Sequence, residues 1–431
     1  MPYFRALRSR NYRLFFFGQA VSLIGTWMTT IATSWLVYRL SGSVVLLGIV
    51  GFSGQIPAFL LAPFAGVLVD RWNRRRVLIV THALATLQSL ALAALALAGR
   101  ITVFQIIALS ILQGIINAFD IPARQVFLAE IVERPHDLSN AIALNSSVFN
   151  GARLIGPSLA GVLIAGAGEG SCFLIDGVSY LAVIAALCAM RLTPAHQLSE
   201  RRPVLQQLRD GMAYAYSCAP IRAILALTAL VSLVGIPYGV LMPVFVQEIL
   251  GGGPHTFGFL MAASGLGALM GALYLASRTS VLGLSGIVPL AAGLFGCGLV
   301  AFSLSRILWV SLLLMLAVGF GMLVQLAAGN TIIQTIVEED KRGRVMSLLA
   351  MSFMGMAPFG SLLAGGLASR IGAPLTLRLG GVACLAGAFL FARQLPRLRE
   401  FVRPIYARKG IRQAVATRIQ AAINLVAPPE S

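Results

Sequence analysis

Charge is scarce in this sequence, and negative charge is scarcer still. Only 11% of the 431 residues are charged, with 15 acidic against 33 basic residues, whereas 58% are hydrophobic. The mean hydropathy is +0.85. Soluble globular domains carry about 25% charged residues. This composition therefore excludes a soluble globular protein and predicts a chain that lies largely within a lipid bilayer.

The residues on which many enzymes and metal proteins depend are also sparse. A phosphate-binding Walker A loop needs Gly-Lys followed by Ser or Thr, but Lys341 precedes Arg342 and Lys409 precedes a glycine, and there is no other lysine. The four histidines are isolated, and the five cysteines show no C-x-x-C spacing. We therefore expect no catalytic residues, metal, cofactor or disulfide, and no enzyme. His82 is expected to be a packed or headgroup-facing residue.

Long apolar runs dominate the chain instead. A helix needs about 20 predominantly apolar residues to cross a bilayer. Twelve such spans are predicted, at 12–38, 44–69, 77–98, 101–121, 140–166, 172–190, 221–246, 256–276, 282–304, 308–328, 345–368 and 374–391. The predicted fold class is therefore an all-α polytopic membrane protein with twelve transmembrane helices.

The basic residues are distributed unevenly between the two predicted sides of the membrane. With the N-terminus in the cytoplasm, only five of the 33 fall outside and two lie within spans, which leaves 26 in the cytoplasm. This positive-inside bias predicts that both termini are cytoplasmic, and no cleavable leader is expected. The formal net charge of +18 is accounted for by topology and anionic lipid headgroups, so no nucleic-acid partner is expected.

The spans divide into two halves of six. Residues 1–190 and 221–393 form the predicted six-helix bundles, joined by a cytoplasmic linker, 191–220, with an amphipathic helix marked by Leu205, Leu208 and Met212. A basic cytoplasmic tail covers 394–431. The halves resemble each other at an offset of about 205 residues, which places Gly114 on Gly319. The predicted repeat is parallel, with an axis along the membrane normal.

Polar residues recur at helical spacing within three of the spans. Positions i, i+4 and i+7 share one helix face, and polar faces at membrane depth contact protein or a water-filled cavity. The stripes are Gln19, Ser22, Thr26, Thr30 and Thr33 in span one; Gln113, Asn117, Asp120 and Arg124 in span four; and Ser146, Asn150 and Arg153 in span five. These stripes predict one wall of a central cavity, with hydrogen bonding between helices as the alternative for Ser and Thr. Gln325, Asn330 and Gln334 in the second half do not share a face, so the opposite wall is expected to be more apolar.

A short basic loop separates spans two and three. It contains Gly66, Asp70, Arg71, Arg74 and Arg75 in the pattern Gly-x-x-x-Asp-Arg-x-x-Arg-Arg. Twelve spans in two parallel halves with this loop resemble the major facilitator superfamily, and the resemblance covers most of the chain. Asn73 stands where that family usually has glycine, and asparagine tolerates a left-handed conformation.

Other segments resemble one branch of that superfamily. The stretch that holds Gly151, Gly156, Pro157 and Gly161 is similar to the helix-packing motif of antiporters, with Ala160 in place of a common glycine. The series Phe-Asp-Ile-Pro-Ala-Arg-Gln at 119–125, Asn-Ala-Ile-Ala-Leu-Asn at 140–145 and Arg-Leu-Ile-Gly-Pro at 153–157 resembles the drug-efflux and siderophore-export branch, which includes the enterobactin exporter and macrolide efflux proteins. The resemblance implies an exporter driven by an ion gradient.

The basic loop suggests a conformational latch. In the family, the loop carboxylate, here Asp70, lies against the positive N-terminus of span eleven, and Arg74 reaches an acid at the cytoplasmic end of span four. Asp120 is the candidate for that acid. Such a network would hold the cytoplasmic side shut, and the alternative is a topology anchor that does not depend on the conformational state.

Coupling is predicted to depend on Arg153. No carboxylate is expected near the bilayer midplane, because Asp70 and Asp120 map to cytoplasmic ends and Glu169 and Glu248 map outside. Arg153 is the deepest ionisable residue, about 20 Å into span five counted from Asn140. An unpaired arginine at this depth costs at least about 2.5–3.5 kcal/mol. Asp176 in span six is expected at a similar depth. The sequence predicts an Arg153–Asp176 pair that breaks when substrate or a proton binds. A permanent structural pair and arginine bonded to carbonyls remain alternatives.

These observations together predict a secondary active transporter of a bacterial cytoplasmic membrane. The expected activity is proton-coupled export of a small amphipathic or anionic molecule by a monomer that alternates access between its halves. The substrate and coupling residues are predicted to be Arg153, Asp176, Gln113, Asn117, Asn150 and Gln19. Uptake by the same fold and a non-transporting membrane sensor or assembly protein are the alternatives.

Overall fold

The computed structural model describes residues 5–132, 134–191, 212–278 and 280–408, without the side chain of Asp70 and a few others. Within these ranges, twelve helices are long and apolar enough to cross a membrane. They are α1 (Arg10–Ser41), α2 (Val44–Arg71), α3 (Arg74–Leu97), α4 (Val103–Ile131), α5 (Leu138–Ala167), α6 (Glu169–Ala189), α7 (Ala219–Ile249), α8 (Pro254–Ala276), α9 (Leu284–Leu304), α10 (Leu308–Ile336), α11 (Glu339–Ile371) and α12 (Ala373–Arg408). The predicted all-α fold with twelve spans is confirmed.

Several helices begin at side chains that accept a hydrogen bond from an otherwise unpaired backbone N–H group. Ser43 caps α2, Asn73 caps α3, and Thr102 and Gln105 form a capping box at the start of α4. Asn73 has φ −68° and ψ 108°, so it is extended and not left-handed. Asn73 therefore does not use the left-handed conformation that asparagine tolerates, and its amide oxygen serves as a helix cap in a two-residue turn.

Some helices are longer than the apolar runs that predicted them. Because α4 continues to Ile131, Asp120 lies well inside that helix and not at its end. Because α12 continues to Arg408, the predicted domain boundary after residue 393 falls within a helix. The linker residues 192–211 and the tail beyond 408 lie outside the described residues, so the structure does not describe most of the two predicted cytoplasmic segments.

The same helix pairings occur in both halves. Helix α2 packs against α4 as α8 packs against α10, and α3 packs against α6 as α9 packs against α12. Glycines at equivalent positions permit the close approach of α2 to α4 and of α8 to α10. A Cβ atom at Gly114 would lie 2.8 Å from the carbonyl oxygen of Gly54, and one at Gly319 would collide with the carbonyl of Ser264. The packing within each half thus repeats at the offset expected from the sequence.

The halves contact each other through α2 with α11 and α5 with α8. We call the side where Arg5 and Arg408 lie the terminal side and the opposite one the far side. On the far side, a Cβ atom at Gly365 would lie 3.0 Å from the Cα of Gly48, and one at Gly161 would lie 3.1 Å from the Cα of Gly258. The hydroxyl of Tyr38 at the end of α1 also donates a hydrogen bond to Glu248 of α7. The halves are therefore held tightly together on the far side.

Candidate transport site

Two adjoining cavities lie among α1, α3, α4 and α6 in the N-terminal half. The smaller has a volume of about 50 Å³ and the larger, which extends towards α2 and α7, about 240 Å³. Both are lined by Thr26, Gln113, Asn117 and Tyr180. The predicted polar stripes of spans one and four therefore do line a cavity, which lies mainly inside one half.

Asp120 lies in a charged cluster at the smaller cavity. It is only 8% exposed, and its Oδ2 lies 3.0 Å from Nη2 of Arg124. Its Oδ1 accepts a hydrogen bond of 3.2 Å from Thr81 and lies 3.4 Å from Nδ1 of His82. Arg124 Nη1 also donates to Gln19 Oε1, at 3.2 Å. The prediction that Asp120 lies at the cytoplasmic end of its span is wrong, because the helix continues for about three more turns. His82 is buried as expected, but it faces this acid.

The basic loop has a different acidic partner from the one predicted. Arg74 at the start of α3 forms an ion pair with Glu130, in the last turn of α4. Asp120 was the predicted partner and is wrong, since it lies about three turns deeper in the same helix. Arg75 donates to the carbonyl oxygen of Cys188, 3.0 Å away. The expected contact of Asp70 with span eleven falls on an undescribed side chain, and Gly66 has open space where a side chain would be.

Asp176 lies at the larger cavity and is almost fully buried, at 1% exposure. Its Oδ2 accepts hydrogen bonds from Thr29 of α1, at 2.9 Å, and Ser89 of α3, at 3.0 Å. Its Oδ1 has no hydrogen-bond partner among the described residues and points at Gly25, where a Cβ atom would approach it to 2.7 Å. The predicted Arg153–Asp176 pair is therefore wrong, because α1 and α3 supply the partners of the acid instead.

Arg153 lies between the halves. Its guanidinium carbon is 5.8 Å from the ring centre of Trp27 in α1, and its Nη2 lies 3.9 Å from the sulfur of Met322 in α10. Neither neighbour neutralises its charge, although an arginine over an indole face is favourable. One turn earlier on α5, the side chain of Asn150 donates to the carbonyl of Ser146 at 2.8 Å. The structure thus separates the two residues expected to pair and leaves Arg153 at the surface between the halves.

The glycine motif of α5 forms close contacts with two helices, α1 and α8. A Cβ atom at Gly156 would lie 2.5 Å from the Cβ of Trp27, and Gly161 approaches α8. The carbonyl of Pro157 would collide with a side chain at Gly258. At Gly151, however, no other described helix has an atom within 4 Å of such a position. The prediction that Gly151 belongs to the helix contact is wrong, while Gly156, Pro157 and Gly161 lie at close contacts.

Comparison with known proteins assigns the family. Residues 2–413 match the major facilitator family described as transmembrane secretion effector. The chain belongs to this family. It is therefore a membrane transporter of the major facilitator type and not an enzyme, as expected from the sequence.

Similar proteins of known name are bacterial transporters. The staphyloferrin A transporter of Staphylococcus aureus is 26% identical over 392 residues, which cover 90% of this chain and 97% of that protein. The multidrug efflux pump Tap of Mycolicibacterium fortuitum is 27% identical over 396 residues, covering 90% and 96%. Macrolide efflux protein A of Streptococcus pyogenes is 25% identical over 398 residues, covering 87% and 95%. Together with the twelve spans, these relatives indicate a protein of a bacterial cytoplasmic membrane.

Solved structures share the fold at lower identity. A bacterial homologue of the human lysosomal transporter Spinster, in an inward-facing and unoccupied conformation, aligns with a TM-score of 0.72 and 15% identity over 91% of this chain and 98% of that chain. The nucleoside transporter NupG aligns with a TM-score of 0.68 and 13% identity, covering 90% and 98%. These likenesses establish the major facilitator fold alone.

Proposed function

We propose that this transporter exports a small amphipathic or anionic molecule in exchange for protons, by alternating access between its halves. The observation that carries the substrate class is Arg153, a cation at the surface between the halves whose described neighbours are an indole and a thioether. A charge in the membrane interior needs a partner, and a transported anion with apolar parts would supply one. Trp27 and Met322 would contact those apolar parts.

The proposed direction and coupling rest on further observations. Two relatives are named as efflux proteins. The close contacts on the far side, which the charge bias places outside, suit a state that takes up its substrate from the cytoplasm. Asp120 and Asp176 are buried acids beside cavities, as expected of groups that bind and release protons in transporters.

A deletion strain screened for efflux of charged and neutral compounds would test this function. For an anionic compound that the wild-type protein exports, Arg153→Gln is expected to lower the rate about tenfold or more, because the charge partner is lost. Export of neutral compounds should change much less. Arg100→Gln, at an exposed arginine in the turn after α3, is the matched control.

Three results would contradict the proposal. Unchanged efflux of every compound would favour the non-transporting alternative, and accumulation driven by the protein would show uptake. An equal loss of anionic and neutral export in Arg153→Gln would show that the arginine does not recognise charge. Protein abundance in the membrane must be matched for each comparison.

A further inference from the structure

We propose that protons cross the N-terminal half between Asp176 and Asp120, on a path separate from that of the substrate. The hydroxyl of Tyr180 passes them from one cavity to the other. This inference deepens the proposed function, since it assigns the proton path of the same transporter. It makes Tyr180 a functional residue. Substrate would move separately, between the halves.

Tyr180 lies between the two acids, and its neighbours lead towards both of them. It follows Asp176 by four residues on α6 and therefore lies one turn along the same helix face. Its ring edge contacts His82, with ring centres 5.6 Å apart, and His82 in turn lies 3.4 Å from Asp120. Its hydroxyl lies 3.2 Å from the hydroxyl of Thr26 in α1.

The hydrogen bonds orient the hydroxyl of Tyr180. Thr26 donates its own proton to the carbonyl of Ser22, at 3.0 Å, so its oxygen is left to accept a hydrogen bond from Tyr180. One turn along α1, Thr29 donates to Asp176. A phenol can release its proton to one neighbour while it accepts another from the opposite side. Tyr180 therefore has the chemistry to move a proton in a single exchange.

Water can complete the path. The acids are separated by about 15 Å along the membrane normal, judged from their positions in α4 and α6 at 1.5 Å per residue. Direct transfer over that distance is impossible. A cavity needs only about 10–15 Å³ to hold one water, and the cavities have volumes of about 50 and 240 Å³. Both contain polar groups, and Tyr180 forms part of the wall of each.

The charges around the acids differ in a way that suits proton transfer. Asp120 is paired with Arg124, whereas the groups bonded to Asp176 among the described residues are hydroxyls from α1 and α3. The titratable groups near Asp176 are Cys172 and Tyr180 on its own helix and, beyond the tyrosine, the cluster of Asp120, Arg124 and His82. A buried carboxylate without a cation is stabilised by binding a proton. Asp176 would thus hold the proton, and Asp120 would accept it as Arg124 moves away.

Helix α1 connects this path to the substrate surface. Thr26 and Thr29 contact α6, while the adjacent Trp27 contacts Arg153 on α5. A substrate that displaces Trp27 would therefore shift the hydroxyls that hold Tyr180 and Asp176. This physical link couples the two fluxes without an Arg153–Asp176 pair.

The test follows carboxyl protons and needs no transported compound. Infrared spectroscopy of the purified full-length protein detects the carbonyl stretch of a protonated carboxyl and its rate of hydrogen–deuterium exchange. We expect one such band to disappear in Asp176→Asn. In Tyr180→Phe, we expect the band to remain and its exchange to slow about tenfold or more, because a positioned proton carrier is lost. The matched control is Tyr238→Phe, since Tyr238 of α7 is also buried and hydrogen-bonded to a hydroxyl, that of Ser264 at 2.8 Å.

The outcomes of this experiment test the proton path independently of the export assays. Exchange in Tyr180→Phe that equals wild-type exchange would overturn it, as would a band that is absent from the wild-type protein at every pH. A band that responds to Na⁺ at constant pH would show a sodium site instead. If Asp176→Asn does not fold, Ser89→Ala serves in its place, because loss of that hydroxyl must shift the frequency of the same band. A missing shift there would also overturn the proposal.

Discussion

The glycine contact between α5 and α8 should control the balance between the two orientations of the transporter. On the far side, a Cβ atom at Gly161 would lie 2.8 Å from the carbonyl oxygen of Pro254 and 3.0 Å from the Cα of His255. These are backbone atoms that cannot rotate away. We therefore expect Gly161→Ala to disfavour the state in which the far side is closed, and to leave the opposite state unaffected.

The size of the effect follows from the cost of overpacking. Forcing an extra methyl group into a close-packed contact costs about 1–3 kcal/mol, which changes a population ratio about 5–150-fold. The helix propensity gained when glycine becomes alanine, up to about 1 kcal/mol, applies equally to both states and cancels. Gly166→Ala on the same helix is the matched control, because no atom of another described helix lies within 4 Å of its Cβ position.

Distances between spin labels measure this balance directly. Arg100→Cys and Arg306→Cys place labels in exposed far-side turns of the two halves, in a background that lacks the exposed cysteines Cys188 and Cys297. Gly161→Ala should increase the population with a long separation, and Gly166→Ala should not. An unchanged distribution in folded Gly161→Ala protein would refute the reasoning, since it would show that the helices absorb the methyl group without separating.

Two further predictions concern the basic loop and the topology. Arg74→Ala and Glu130→Gln should each abolish most transport at nearly normal membrane abundance. The double variant should lose little more activity, because each single substitution removes the same ion pair. Additive losses of activity, or an equal loss of protein and activity, would favour a simple topology anchor. Reporter fusions should place Arg75, Arg134, Lys341 and Arg412 in the cytoplasm and Gly42, Arg100 and Arg306 outside, and an external signal at Lys341 would contradict the two-by-six arrangement.

Local rules were sufficient to locate the helices, but not to fix all of their ends. The twelve spans follow from apolar length, because a bilayer offers no hydrogen-bond partners and forces the backbone into helices. Shared helix faces likewise follow from spacing alone. Gln113, Asn117 and Asp120 do line one cavity, but it lies mainly inside the N-terminal half and not centrally as predicted. The starts of α2 and α3 follow Ser43 and Asn73, which are good helix caps.

The partner of each buried charge was decided by tertiary structure. Apolar length does not show that α4 continues to Ile131, and this longer helix places Glu130, and not Asp120, beside Arg74. Counting residues along spans five and six places Arg153 and Asp176 at a similar depth. The rotation of α5 and α6 about their axes nevertheless points these side chains at different neighbours. Thr29, Ser89 and Tyr180 carry no motif, because a hydroxyl becomes informative only when a buried acid lies within hydrogen-bonding distance. The sequence by itself therefore determined which residues are in the membrane, and packing between helices determined which of them meet.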